Sequence, residues 1–520
     1  MTRTYDLAVF GSGFAGSLIA MIAKRQGRSV ILLERGKHPR VVIGESSTPL
    51  ANLLLEELAT RYDLPAIKPL AKWGSWQRTH PQVACGLKRG FTFYHHDLGI
   101  EDAPDPGHLR QLLVAASPHD EIADTHWYRA DFDALLVKEA QALGIDYLDE
   151  VQLANFVEGE SGVSFEGTRA GETRTYRARF VIDATGPRGF LHRALQIRET
   201  SLPNYPMTQA LYSHFSGVGR PEFIRSHGTH EGPPYPPEDA AVHHVFDGGW
   251  IWVLRFNNGI TSAGVAATEA ASARLNLSQG EPAWHSLLDL IPSLKEQFAT
   301  ARAEQPFTYV PRLSFMSSQM TGRRWALLPS SAGFVDPLLS TGFPLTLLGV
   351  SRLAEILAGD WNSGQFQTDL QSYALQTTSE LLATARLVAA LYANMNNFPV
   401  FKSLSLLYFA AASYSETAKR LNKPYLAKSF LLHDHPVFGA TSRALIDSAM
   451  HITSGQELAY FSGDILRAIE PFDVAGLSNL DRRSWYPVVA EDLLRSAAKV
   501  ESNRSEIEAL LQRCGFYHSR

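Results

Sequence analysis

Asp6-Leu-Ala-Val-Phe10, then Gly11-Ser-Gly13-Phe-Ala-Gly16, a helical pattern through Lys24, and Ser29-Val-Ile-Leu-Leu33-Glu34 form the stretch that decides the fold. Two compact apolar runs joined by a glycine turn and a helix read as a βαβ unit. A Gly-x-Gly-x-x-Gly turn lets the backbone approach a pyrophosphate, whose charge is stabilised by N–H groups at the helix N-terminus. Gly11, Gly13 and Gly16, with Phe14 and Ala15 between them, are the expected cradle. Glu34 falls 18 residues past Gly16, at the end of the second strand, where a carboxylate accepts hydrogen bonds from ribose hydroxyls. The unit predicts dinucleotide binding without choosing between FAD and NAD.

The 520-residue chain as a whole fits a soluble enzyme with a large core, since 45% of residues are hydrophobic and 19% charged. Lys and Arg number 48 against 53 Asp and Glu, and no basic block tracks a phosphate backbone, so no nucleic-acid partner is expected. Cys85 and Cys514 alone cannot build a disulfide framework or a thiolate metal site. His95-His96 and His243-His244 are adjacent pairs, which face opposite ways on a strand, so no metal is expected. The N-terminus enters its first strand without a leader-type segment. The apolar windows Phe334–Val350 and Phe401–Ala412 are too short or too polar to span a bilayer. A cytoplasmic location away from membranes is the expectation.

Thr48-Pro49 opens a helix expected to run to about Arg61, with Leu50, Leu53, Leu54 and Leu58 on one face. A second helix is expected over about Asp131–Leu143, and residues 97–127, rich in Asp, Pro and His, read as connecting loops. From about Val151 to Met320 short β-like runs bounded by Gly and Asn suggest antiparallel hairpins. Within them Gly232–Pro237 reads as a surface loop able to act as a lid. After Trp325–Leu328 the chain turns helical, with amphipathic patterns in Ala374–Ala393 and Val489–Leu511. The fold class is α/β: a Rossmann-like domain over 1–199 and 321–356, an inserted antiparallel β-sheet over 200–320 forming a substrate or tunnel region, and a mainly helical C-terminal region over 357–520.

Further motifs carry a resemblance. Tyr128-Arg129 with Phe132-Asp133, Val181-Ile-Asp183-Ala-Thr-Gly186 and Gly333-Phe-Val-Asp336-Pro337 look like the ordered motifs of the flavin monooxygenase superfamily, which implies FAD. More narrowly, Gly44-Glu45-Ser46-Ser47-Thr48-Pro49, Ala84-Cys-Gly-Leu-Lys88-Arg-Gly90-Phe91, Gly249-Trp250-Ile-Trp252-Val-Leu-Arg255 and Phe334-x-x-Pro337-x-x-Ser340-x-Gly342 resemble the flavin-dependent halogenases, the tryptophan-halogenase-like family, in its phenol and pyrrole branch. The resemblance spans roughly residues 5–350. It implies Lys88 as the catalytic lysine, Glu45, Ser46 and Ser47 beside the flavin, Arg129 near its phosphates, and halide at Thr341 and Gly342. It also implies a tunnel past Trp250, Trp252, Pro337 and Ser340. Reduced FAD would come from a separate flavin reductase, with O2 and chloride or bromide as co-substrates. The acceptor would be a small electron-rich aromatic, free or carrier-bound. Leu339 stands where tryptophan halogenases carry a ring-activating glutamate, which points away from free tryptophan.

Beside the resemblance, the residues keep their own readings. Lys88 sits in Leu87–Phe93, read as one strand, with Gly90 and Thr92 on its face; if that face is interior, its pKa falls and it can act as a nucleophile or hydrogen-bond donor. A Ser-Thr-Gly turn can aim amides at an anion or simply cap a helix. Arg129 and Asp133 can form an i,i+4 pair. Asp183 can contact flavin or cap its own turn. Pro329-Ser330 replaces the Gly-Asp pair common in flavoenzymes, leaving Ser330, Asp336 or backbone to meet the cofactor. Tyr392, Asn394, Asn396 and Asn397 interrupt an apolar helix, and Asn396 is a candidate substrate contact. Arg255 replaces the family's proline and supports the alternative of a flavin monooxygenase or reductase without halide chemistry; a non-catalytic flavin-binding protein is a third reading.

Overall fold

The computed structural model describes residues 4–101, 103–220, 232–452 and 455–517. The βαβ unit forms as read: β1 (Thr4–Phe10), α1 (Phe14–Arg25) and β2 (Val30–Leu33). β1 lies parallel between β2 and β10 (Glu172–Asp183), so that Val9 is level with Leu32 and Ile182. Strands covered on both faces need near-continuous apolar runs, which these supply. β10 also runs parallel to Trp325–Leu327. β7 (Asp146–Leu148), β8 (Gln152–Glu158) and β9 (Val163–Arg169) complete a seven-stranded sheet.

A second, nine-stranded sheet is wider than the expected 200–320 insert. Besides β11 (Thr208–Ser216), β12 (Ala241–Phe246), β13 (Gly249–Arg255) and β14 (Thr261–Thr268), it takes in β4 (Gly90–His95), β5 (Gln111–Ala115) and Trp485–Tyr486. Residues 97–127 are therefore not all connecting loop. They hold β5, whose short apolar core Leu112–Val114 is masked in sequence by flanking Asp, His and Pro, and β6 (Asp124–Trp127), whose Asp-Thr-His-Trp sequence has no apolar run to announce it.

The strand expected over Leu87–Phe93 breaks at Arg89. β3 (Cys85–Lys88) pairs with β6 in a separate ladder, and β4 joins the large sheet. Arg89 bridges the two: its N–H donates to the Asp239 carbonyl and its carbonyl accepts from Ala116 N–H, each at 2.7 Å. Gly90 follows because nothing larger fits; a Cβ there would lie 2.2 Å from the Val114 carbonyl oxygen.

α2 (Pro49–Arg61) has the expected cap, with Thr48 Oγ1 accepting from Ala51 N–H at 3.2 Å. Thr48→Ala is expected to lower stability by about 1 kcal/mol, read as a fall in thermal midpoint. The other early helix is Arg129–Ala142. The Gly232–Pro237 stretch is not a free surface loop: Tyr235 is buried and its hydroxyl donates to the Phe91 carbonyl at 2.6 Å, while Thr92 donates to the Pro237 carbonyl at 2.9 Å.

The C-terminal region is mainly helical. Helix Gly342–Ala358 packs on α1, α2 and helix Gly364–Ala393, and helix Phe398–Arg420 packs on α2 and Gly455–Ile469. Val489–Leu511 is broken, not continuous, into Ala490–Arg495, a short 3₁₀ turn and Arg504–Arg513. Among the described residues no helix is long and apolar enough to cross a membrane.

Candidate active site

The two sheets and helix Gly342–Ala358 enclose an open cleft of about 440 Å³. Its first wall is the glycine turn. Gly11 has φ +91°, and a Cβ there would lie 2.5 Å from the Ala184 carbonyl oxygen, so glycine is required. Gly13, Phe14, Ala15 and Gly16 line the cleft, and no side chain caps α1 at Gly13. Its first amides are thus left for another partner. Arg129 and Arg40 line the same wall. Arg129 is fixed by a two-point bond to Asp133 at 2.8 and 2.7 Å and donates to the Gly44 carbonyl at 3.1 Å.

Three expected cofactor contacts sit differently. Glu34 stands at the end of β2, but its carboxylate is filled by Ser12 N–H at 2.9 Å, Ser12 Oγ at 3.1 Å, Gly36 N–H at 2.8 Å and Arg40 at 3.4 Å. Burial works to raise its pKa, yet Arg40 and these donors together hold it below the usual value. Asp183 is fully buried and spends its oxygens on Thr185 N–H and hydroxyl and on Leu191 N–H, which makes it a turn cap and not a cleft residue. Ser47 is likewise turned inward, donating to the Thr125 carbonyl at 2.6 Å. Glu45, Ser46 and Ser330 do line the cleft.

The opposite wall comes from the large sheet. Trp250, Trp252 and Leu254 alternate along β13 onto the cleft face, 5.7 Å separating the two indole rings. Arg255 therefore points the other way. It binds Glu238 at 2.9 Å and donates to the Val218 carbonyl at 3.0 Å and to the Gly219 carbonyl. Its cation does not enter the cleft, so the substitution of the family proline gives no support to a different chemistry. Glu238 is buried, and Arg255→Met is expected to cost about 3 kcal/mol by stranding that charge, measured by denaturant unfolding.

The floor is the 336–342 turn. Pro337, Ser340, Thr341 and Gly342 line the cleft, and Leu339 and Ser340 hold φ of +62° and +55°. Consecutive non-glycine residues in this region store strain that packing must offset. Leu339 is fully buried and its carbonyl accepts from Tyr408 Oη at 2.9 Å. A Cβ on Gly342 would meet only a ring carbon of Phe334, at 3.9 Å, so the start of the helix is open to the cleft. Asp336 is buried with its pKa raised to about 6 by that burial. It accepts from Leu338 N–H at 3.0 Å and from Tyr392 Oη at 2.9 Å, and Trp250 Nε1 donates to the same tyrosine oxygen at 3.1 Å. Tyr392 thereby ties the tryptophan wall to the floor. Asn396 does not share this position: it is exposed in the turn after helix Gly364–Ala393.

Lys88 lies behind Ser46. Fully buried, it donates to Ser46 Oγ at 2.9 Å and to the Ser47 carbonyl, with its Nζ 3.8 Å from the centre of the Phe91 ring. Burial lowers its pKa, opposed by the charge of Asp124, whose own pKa burial raises. On the far side of Phe91 is a second cavity of about 210 Å³, lined by Phe91, Val114, Pro344, Tyr408 and Phe409, with Glu416 and Arg420 on its wall. Lys88 thus stands in the partition between two cavities.

Sequence reading missed His214, whose Nε2 lies 2.9 Å from Glu45 Oε1, together with Asp124 and Tyr408. Each reaches the site from a distant strand or helix, and no spacing rule announces such a contact. His243 and His244 do alternate as expected: the first faces the cleft and the second bonds His96 at 2.9 Å.

Known proteins resemble the chain in sequence and in fold. The family model for tryptophan halogenase matches residues 123–398, more than half of the chain. The chain is 29% identical over 420 residues to tetracycline 7-halogenase of Kitasatospora aureofaciens, covering 79% of this chain and 74% of that one. It is 29% identical over 384 residues to monodechloroaminopyrrolnitrin halogenase PrnC of Pseudomonas fluorescens, covering 73% and 66%. In fold it is similar to the crystal structure of halogenase PltM in complex with phloroglucinol and FAD, with a TM-score of 0.79 at 22% identity over 92% of this chain and 99% of that one. With the glycine cradle, the paired tryptophans and the strained turn gathered at one cleft and the buried lysine behind it, the chain belongs to the tryptophan halogenase family.

Proposed function

We propose that the protein is a flavin-dependent halogenase that places chloride or bromide on an electron-rich aromatic ring, phenolic or pyrrolic. The observation that carries this reading is the position of Lys88, bonded to a serine of the cleft and lying on a phenylalanine of the second cavity. A lysine in that partition reaches both an oxidant made on one side and a ring held on the other. The names of the tetracycline and pyrrolnitrin relatives support the reaction class.

The cleft residues fit FAD. The uncapped amides of α1 and the cations of Arg40 and Arg129 suit a pyrophosphate. Ser330 and the open backbone at Gly342 suit the ribityl chain and the ring. Reduced FAD, delivered by a separate reductase, supplies with O2 the oxidising power that makes halide electrophilic. The chain's own residues do the rest. Thr341 and Gly342 hold halide at the helix start. Trp250 and Trp252, fixed through Tyr392 and Asp336, keep an organic ring out of the cleft. The second cavity, walled by Phe91, Tyr408 and Phe409, holds the aromatic substrate, and Lys88 directs the halogen to it. Enclosure matters because a free oxidant would be consumed by thiols and methionines.

The test is mass spectrometry after incubation with FAD, a flavin reductase, NADH, O2 and bromide or chloride, with phenols, pyrroles and indoles offered singly and as carrier thioesters. A halogen isotope pattern is expected; a gain of oxygen alone, indifferent to halide, rejects the reading.

A further inference from the structure

Lys88 and Asp124 face each other across the β3–β6 ladder, both side chains buried. Such a pairing sets the Cβ atoms ~5 Å apart on one face. The ammonium nevertheless turns away, to Ser46 Oγ, the Ser47 carbonyl and the face of Phe91, three neighbours that all favour positive charge. Asp124 is held from its other side, where Asn52 Nδ2 donates to Oδ1 at 2.8 Å. Its Oδ2 is buried with no hydrogen-bond partner among the described residues. A carboxylate fixed at one oxygen and bare at the other is not there to make a closed structural pair.

Resting on the halogenation reading of Lys88, we propose that Asp124 is the counter-ion that keeps Lys88 protonated, so that the lysine meets the oxidant as an ammonium hydrogen-bond donor and not as a free amine. Asn52 is the clamp that holds Asp124 in that position, and both act as positioning residues. Among the described residues no other group around the pair takes this part. His126 on β6 and His243 on β12 are kept neutral, burial first and then the charge of Lys88 pushing each down to about 3. Glu416 and Arg420, on helix Phe398–Arg420, are paired with each other at 2.7 Å. The Tyr408 hydroxyl is spent on Leu339. Burial lowers Lys88 and raises Asp124, so each group loses its charge when the other is removed.

Two measurements test this, one of them independent of turnover. In Asp124→Asn the lone buried lysine binds its proton less well folded than unfolded, so stability relative to wild type rises with pH up to the unfolded lysine value of about 10.4. In Lys88→Met the lone buried carboxyl binds its proton better folded than unfolded, so relative stability falls as pH rises above about 4. Thermal midpoints between pH 5 and 9 should therefore slope in opposite directions for the two single variants and run parallel to wild type for the double variant. Parallel slopes for both single variants overturn the proposal, and if Asp124→Asn does not fold, the Lys88→Met slope decides alone. In the halogenation assay, Asp124→Asn at pH 8 should fall about tenfold or more below wild type and regain activity relative to it toward pH 6. Activity within about twofold of wild type at pH 8, or a further loss toward pH 6, also overturns it. Absence of halogenated product from the wild type would reject the function reading, while the thermal slopes would still decide the pairing of Lys88 with Asp124.

Discussion

Lys88→Met is expected to cut halogenated product by about a hundredfold or more while flavin binding stays within about twofold of wild type. Methionine keeps most of the volume in a site that has no room to spare, so the change removes the amine and little else. The donor to Ser46 Oγ disappears, as does the cation over Phe91. The cleft-facing amides and arginines are untouched, because Lys88 is not among the cleft's walls. Fluorescence titration with FAD and product analysis by mass spectrometry therefore separate the two effects. Product undiminished in the variant would mean that halogen crosses the partition without the lysine. A parallel loss of flavin binding would mean that the amine chiefly props the Ser46–Ser47 loop.

Gly11→Ala carries the second large effect, at the other end of the cleft. The residue sits at φ +91° and its new methyl would lie 2.5 Å from the Ala184 carbonyl oxygen. Neither the turn nor β10, which precedes Ala184, can yield without disturbing the central parallel strands. A loss of about 3 kcal/mol is expected, together with at least about a tenfold weaker affinity for FAD. Denaturant unfolding and flavin titration measure the two. A variant of wild-type stability that binds FAD normally would show that the turn can open, and with it that the glycine cradle is not what holds the dinucleotide.

The features legible in the sequence are those written in local pattern. The βαβ unit rests on contiguous apolar runs and three glycines, and α2 on a cap and a proline, and both form where the pattern puts them. β5 and the break at Arg89 are different. They depend on which ladder each segment joins, and Lys88 and Phe91 fall in different ladders although three residues apart. For the same reason the surroundings of Lys88 are out of reach of local pattern: Asp124 meets it across a ladder and Tyr408 reaches Phe91 from the C-terminal helices. Asp183 and Ser47 show the converse limit. Their types and positions suited a cofactor, but in each case nearby backbone groups claim the side chain first, since a buried polar atom takes the partner it can reach.

Tyr408 joins two parts of the molecule that otherwise belong to different tasks. Its ring is a wall of the second cavity, and its hydroxyl holds the carbonyl of the left-handed Leu339 at the cleft floor. If the proposed function holds, trimming this ring to enlarge the acceptor range would also unfasten the 336–342 turn proposed to hold halide, trading turnover for breadth. Phe409, which walls the same cavity and is held by ring contacts to Phe91 and Phe93, offers room without that tether. Redesign for bulkier scaffolds should begin there.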